Sequence, residues 1–152
     1  MIQPLHTDWL ECIESFNANN VKYLIVGSFA VAHHGRPRLT GDLDLWVKPG
    51  IENGERIIKA LRDFGFGSLQ LTAGPFEPSS QVVQLGFPPL RIDLITSITG
   101  VESFDEAWAE RSPGILGVHA GNYLGRRHLV LNKRSTGRAK DLGDVEELPL
   151  EP

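Results

Sequence analysis

The stretch Gly41-Asp-Leu-Asp-Leu-Trp-Val47 alternates acidic and apolar residues before Pro49-Gly50 closes it, which predicts a strand over 42–48. Asp42 and Asp44 are two apart on such a strand, so both carboxylates project from one face while Leu43 and Leu45 turn to the core. Two like charges this close repel, and one pKa rises unless a divalent cation coordinates both. All-oxygen ligation suits Mg²⁺ or Mn²⁺, which take one or two carboxylates together with substrate phosphates. Asp-x-Asp by itself also fits an ordinary strand end. A third carboxylate, Asp93, lies inside the apolar run Leu90-Arg-Ile-Asp-Leu-Ile-Thr96, and a buried aspartate is costly unless paired or metal-bound. It could face solvent on an edge strand, or pair with Arg91. With Asp42 and Asp44 on a neighbouring strand, the sharper reading is a three-carboxylate site.

Upstream, Gly27-Ser28 stands where the apolar run Val21–Val26 gives way to Phe29-Ala-Val-Ala-His-His-Gly35. A strand turning there into a helix would aim backbone N–H groups at an anion, with Gly27 allowing close approach and Ser28 adding a hydroxyl. Alternatively, Ser28 is a plain N-cap. A short helix returning the chain to the adjacent strand would bring this cradle beside Asp42 and Asp44.

The elements that must position these groups can be read from periodicity. Trp9, Leu10, Ile13 and Phe16 recur at helical spacing over 7–19, and Ile57, Ile58, Leu61 and Phe64 do so over 51–65. Strands are expected at 21–26, 42–48, 68–72, 81–86 and 89–96. Ser103 and Glu106 form a capping-box pattern that opens a short helix through Arg111. Short strands are expected near 115–119 and 128–131, and a last helix over 138–148. Strands and helices interleave, but some connections are too short for parallel crossovers, so the fold class is α/β (α+β), one domain over 1–152 with a mixed sheet flanked by helices.

The 152 residues are 41% apolar with one cysteine, Cys12, which rules out a disulfide-stapled scaffold and allows a core without metal staples. Asp8 and Glu11 interrupt the N-terminal stretch where a signal peptide needs an apolar run, and no apolar run reaches the roughly 18 residues of a membrane span. A cytoplasmic protein with no membrane association is expected. The formal net charge of −4 hides an uneven distribution: residues 126–140 carry six basic and no acidic groups, and residues 141–152 carry five acidic and no basic ones. The basic block suggests a local anionic ligand or a solvated loop, while the acidic surplus elsewhere argues against general DNA binding.

The run Val26-Gly-Ser-Phe-Ala-Val-Ala-His-His-Gly-Arg-Pro-Arg-Leu-Thr-Gly-Asp-Leu-Asp-Leu-Trp-Val47 resembles the signature of the DNA polymerase beta-like nucleotidyltransferase superfamily. Gly27, Ser28, Asp42, Asp44 and Asp93 fill its positions, and Arg38-Leu-Thr-Gly-Asp42 resembles the Arg-x-Thr-x-Asp variant of small bacterial members of the toxin–antitoxin type. The resemblance covers a catalytic core of about 21–97, and the tail 137–148 is similar to the Lys-Asp helix that closes such proteins. It implies a nucleotidyltransferase fold and transfer of a nucleoside monophosphate from an NTP to an acceptor hydroxyl. Two Mg²⁺ or Mn²⁺ ions would be held by Asp42 and Asp44, one of them also by Asp93. Asp93 would assist acceptor deprotonation, Gly27 and Ser28 would hold the β/γ-phosphates, and Arg38, Thr40 and Lys140 would add contacts.

The acceptor implied is a protein side chain or an RNA end, with a HEPN-type protein as partner. A small-molecule acceptor of the aminoglycoside kind is disfavoured because such relatives use an additional domain. The rival from another class is an antitoxin-like binding protein without turnover. His33 and His34 lack a Cys/His set for zinc, Cys12 reads as a buried small hydrophobe, Trp46 as strand packing, and Arg126-Arg127 as an RNA grip only with aromatic support that is missing.

Overall fold

The computed structural model describes residues 7–35, 42–64, 82–87 and 90–136. Helix α1 (Thr7–Ala18) buries Trp9, Cys12, Ile13 and Phe16, the stripe that helical spacing predicts. The turn that follows it reaches Asn20, whose φ of 56° is the left-handed conformation that asparagine tolerates. Strand β1 (Tyr23–Val26) follows, with all four residues buried.

Helix α2 (Gly27–His33) begins directly at the end of β1, two residues earlier than its apolar run suggests. Strand β2 (Asp42–Val47), helix α3 (Ile51–Phe64), and strands β3 (Val82–Phe87) and β4 (Leu90–Ile95) fall where the alternation and periodicity place them. Helix α4 (Phe104–Ala109) is capped as expected, Ser103 Oγ accepting the Glu106 N–H at 3.1 Å. The expected strand at 68–72 and helix at 138–148 lie outside the described residues.

Two expectations are corrected downstream. Residues 115–119 are not one strand but straddle a hairpin of β5 (Ser112–Leu116) and β6 (His119–Tyr123), turned at Gly117 with φ 64°. Residues 128–131 belong to helix α5 (Arg126–Thr136). The run His-Leu-Val-Leu reads as a strand in isolation, but His128, Leu129 and Lys133 are buried while Arg127 and Arg134 are exposed, a one-sided helical pattern. The basic block thus opens as a helix rather than a loop.

The six strands form one mixed sheet in the order β3-β4-β2-β1-β6-β5. β1 runs antiparallel to β2 and parallel to β6, and β2 runs parallel to β4. Its two faces bury separate cores. On one, Phe16, Ile57 and Leu61 from α1 and α3 pack on Ile25, Leu43, Leu45 and Leu94. On the other, Phe104, Ala107 and Leu129 from α4 and α5 cover Leu24, Val26 and Trp46.

Buried Asn53 of α3 ties the sheet at the end where β1 begins and β2 finishes. Its Oδ1 accepts the Lys22 N–H at 2.9 Å, and its Nδ2 donates to the carbonyls of Lys22 (3.0 Å) and Lys48 (2.9 Å).

Candidate active site

At the opposite end of the same strands, β2 and β4 deliver three acidic side chains to one place beside the end of β1. Val26, the last residue of β1, is the cross-strand partner of Asp44. Asp44 is in turn the register partner of Asp93 across the parallel β2–β4 pair, and Asp42 that of Arg91. Residues in register project from the same side, so Asp42, Asp44, Arg91 and Asp93 share the sheet face that carries Trp46. Leu43, Leu45, Ile92 and Leu94 alternate with them into the opposite core. β4 lies between β3 and β2, so Asp93 is not the solvent-facing edge residue considered as an alternative.

The cluster is electrostatically uneven. Asp93 is 8% exposed. Arg91 brings Nε within 3.0 Å of Asp93 Oδ1 and Nη2 within 3.5 Å of Asp42 Oδ2, so one guanidinium faces two carboxylates. The Arg91–Asp93 contact is a close charge pair rather than an aligned hydrogen bond, for both buried atoms are left without a hydrogen-bond partner. Burial, and then the neighbouring Asp93 and Asp42 charges, push the Asp44 carboxyl up to about 6.

The Gly27 backbone closes the site. Its φ is +65°, and a Cβ there would run into Asp44 Oδ2 and lie 3.3 Å from Asp44 Cγ. Ser28, half-buried in the first turn of α2, does not cap it: the N-cap position is Val26, with no side-chain hydrogen bond.

Hard divalent cations fit this donor set by chemistry, because it offers only carboxylate oxygens, one of them buried without a hydrogen bond, and its net charge calls for a cation. In their present arrangement no three His, Cys, Asp or Glu side chains among the described residues form a group that could hold an ion. The structure therefore brings together Gly27, Asp42, Asp44 and Asp93, with Ser28 one residue beyond. Arg38, Thr40 and Lys140 lie outside the described residues. What sequence reasoning missed is the second partner of Arg91. Its position two before Asp93, hence on the same strand face, is the signal that it reaches the acid pair.

The other conspicuous side chains make contacts within the fold. Trp46 is buried edge-on to Phe104 with ring centroids 5.1 Å apart, and Cys12 is fully buried with its thiol pKa pushed up by desolvation. His33 stacks on Tyr123 at 4.0 Å and pairs with Ser112, while His34 Nε2 lies 2.8 Å from the Leu124 carbonyl. Arg127 pairs with Glu110. Among the described residues no helix is long and apolar enough to cross a membrane.

No protein-family model and no curated protein matches the sequence. Solved structures do match its fold. A proposed nucleotidyltransferase from Thermotoga maritima is 14% identical with a TM-score of 0.63, over 96% of this chain and 93% of its own. The lincosamide antibiotic adenylyltransferase LnuA, in its lincomycin-bound form, is 14% identical with a TM-score of 0.54, over 94% of this chain and 95% of its own. An antigenic nucleotidyltransferase-like protein from Paracoccidioides brasiliensis is 17% identical with a TM-score of 0.53, over 95% and 77%. The chain has the fold of these nucleotidyltransferase structures.

Proposed function

We propose that this chain is a metal-dependent nucleotidyltransferase that moves a nucleoside monophosphate from an NTP to an acceptor hydroxyl and releases pyrophosphate. The observation that carries this reading is the cross-strand row Val26, Asp44, Asp93, which sets a side-chain-free Gly27 against an acidic pair. The shared fold supports the same reaction class.

Each residue has a task in that reaction. Asp42, Asp44 and Asp93 would hold Mg²⁺ or Mn²⁺, which when bound supplies charge neutralisation for the triphosphate and acidifies the attacking hydroxyl. Asp93 takes up the acceptor proton, its carboxylate standing in register beside Asp44. Gly27 lets phosphate oxygens approach the backbone and Ser28 donates its hydroxyl to them. Arg38, Thr40 and Lys140 belong to the same proposal as further phosphate contacts.

For the acceptor, the family resemblance supports a protein or RNA hydroxyl in a toxin–antitoxin pair with a HEPN-type partner. The expectation that a small-molecule acceptor needs an extra domain loses its force, because LnuA matches this chain over nearly the full length of both. A small hydroxylated acceptor therefore stands beside the macromolecular one.

The test is transfer of label from each α-³²P NTP with Mg²⁺, offered protein, RNA and lincosamide acceptors in separate reactions. Wild type should label one class of acceptor, and Asp42→Ala/Asp44→Ala none. No NTP binding by wild type, or equal binding by the double variant, overturns the proposal. Retained cellular activity in Asp93→Asn would instead favour a binding protein without turnover.

A further inference from the structure

Between Asp42 and Asp93 stands Arg91, one guanidinium within 3.5 Å of the first and 3.0 Å of the second. Three acidic side chains on one face of two neighbouring strands would repel one another, and Arg91 is a cation placed to offset this. Its contacts are nevertheless poor ones. Nε and Asp93 Oδ1 are buried and close without forming a hydrogen bond, so the pair is held by charge more than by directed bonding. The register partner of Arg91 on the far side, across the antiparallel β3–β4 pair, is Gly86, so no β3 side chain stands opposite Arg91 in that pair.

We infer that Arg91 is a built-in counter-cation of the carboxylate site, and that a divalent cation binds by displacing its guanidinium from Asp42 and Asp93. This rests on the metal-dependent reading above and deepens it. In the arrangement seen, no three acidic groups among the described residues form an ion-holding set, and one guanidinium lies against two of the proposed ligands. Arg91 therefore competes with the metal for the same oxygens and spares the metal-free fold from the repulsion of bare carboxylates. It is a positioning residue that acts through Asp42 and Asp93.

A purely structural arginine, one that merely orients Asp93 for the metal, predicts the opposite response to its removal, which makes the inference testable on the full chain with Mn²⁺ alone. Mn²⁺ affinity is read by electron paramagnetic resonance for wild type, Arg91→Met, Arg91→Lys and Asp93→Asn. Loss of the competing charge should tighten Mn²⁺ binding about tenfold in Arg91→Met and lower its metal-free melting temperature, with saturating Mn²⁺ closing the gap to wild type. Arg91→Lys, which keeps the charge, should stay near wild type in both. Unchanged or weaker Mn²⁺ binding by Arg91→Met overturns the inference while leaving the metal site intact, provided that Asp93→Asn loses the ion. If Asp93→Asn binds Mn²⁺ as wild type does, the metal-dependent reading itself fails, and the inference with it. Should Arg91→Met not fold, the wild-type protein decides: its Arg91 Nε–H nuclear magnetic resonance signal should shift as Mg²⁺ is titrated to saturation, and a signal that stays fixed overturns the displacement.

Discussion

Gly27 and Asp44 share one volume: the backbone of the first sits where its own side chain would collide with the carboxylate of the second. The antiparallel pairing of Val26 with Asp44 produces this contact, and the left-handed φ of Gly27 turns the chain into α2 at that point. Gly27→Ala should therefore cost about 2 kcal/mol, part from alanine at positive φ and part from displacing Asp44. Urea unfolding of Gly27→Ala and of Gly27→Ala/Asp44→Ala separates the parts. Removing the carboxylate should recover the collision share and leave about 1 kcal/mol of backbone strain. Equal losses in the two backgrounds would mean the contact is not limiting.

The raised Asp44 carboxyl makes metal-free stability depend on pH. Its folded pKa of about 6 exceeds the unfolded value near 3.8, so the folded state holds a proton that the unfolded chain has released between those values. Stability consequently falls as pH rises from 4 to 6, by about 3 kcal/mol for a shift of this size, and the deficit persists above pH 6. Asp44→Asn carries no such penalty. In EDTA it should be more stable than wild type at pH 7, with the difference vanishing below pH 4, as followed by denaturant unfolding across the pH series. A constant difference from pH 4 to 7 would remove Asp44 as its source.

The acid site was legible because its determinants are local: two-residue spacing puts Asp42 and Asp44 on one face, and the apolar flanks of Asp93 force that residue to have a partner. Spacing could not say that Asp93 lies opposite Asp44, since the β2–β4 register depends on a long connection. Nor could it find Asn53, an amide in an amphipathic helix that looks like surface until β1 and β2 are brought to it. The strand expected at 128–131 failed for a related reason. A four-residue apolar run has too little length to show its period, and the packing of Leu129 on the core beneath α5 decides it.

Asn53→Ala should be among the more damaging single changes away from the carboxylates. It would leave one N–H and two carbonyls at the ends of β1 and β2 without their amide, at a cost of about 2–4 kcal/mol. Because these groups lie at the other end of the strands from Asp44, affinity for Mn²⁺ in the folded fraction should be unchanged. Denaturant unfolding gives the first quantity and Mn²⁺ titration below the melting temperature the second. A variant as stable as wild type would show that water replaces the amide at no cost.

Two serines at helix starts offer a control for one another. Ser103 holds the Glu106 N–H at 3.1 Å and sits outside the acidic cluster, so Ser103→Ala should lose about 1 kcal/mol of stability and no NTP affinity. Ser28 makes no cap, the N-cap of α2 being Val26 without a side-chain bond, so its hydroxyl has no such stabilising role to lose. Ser28→Ala should change stability by less than about 0.5 kcal/mol while weakening Mg²⁺-NTP binding about tenfold, the loss of one hydrogen bond to a charged phosphate. Calorimetric titration and thermal unfolding of the two variants side by side read both quantities. The assignment of Ser28 to phosphate fails if its variant binds NTP as tightly as Ser103→Ala does.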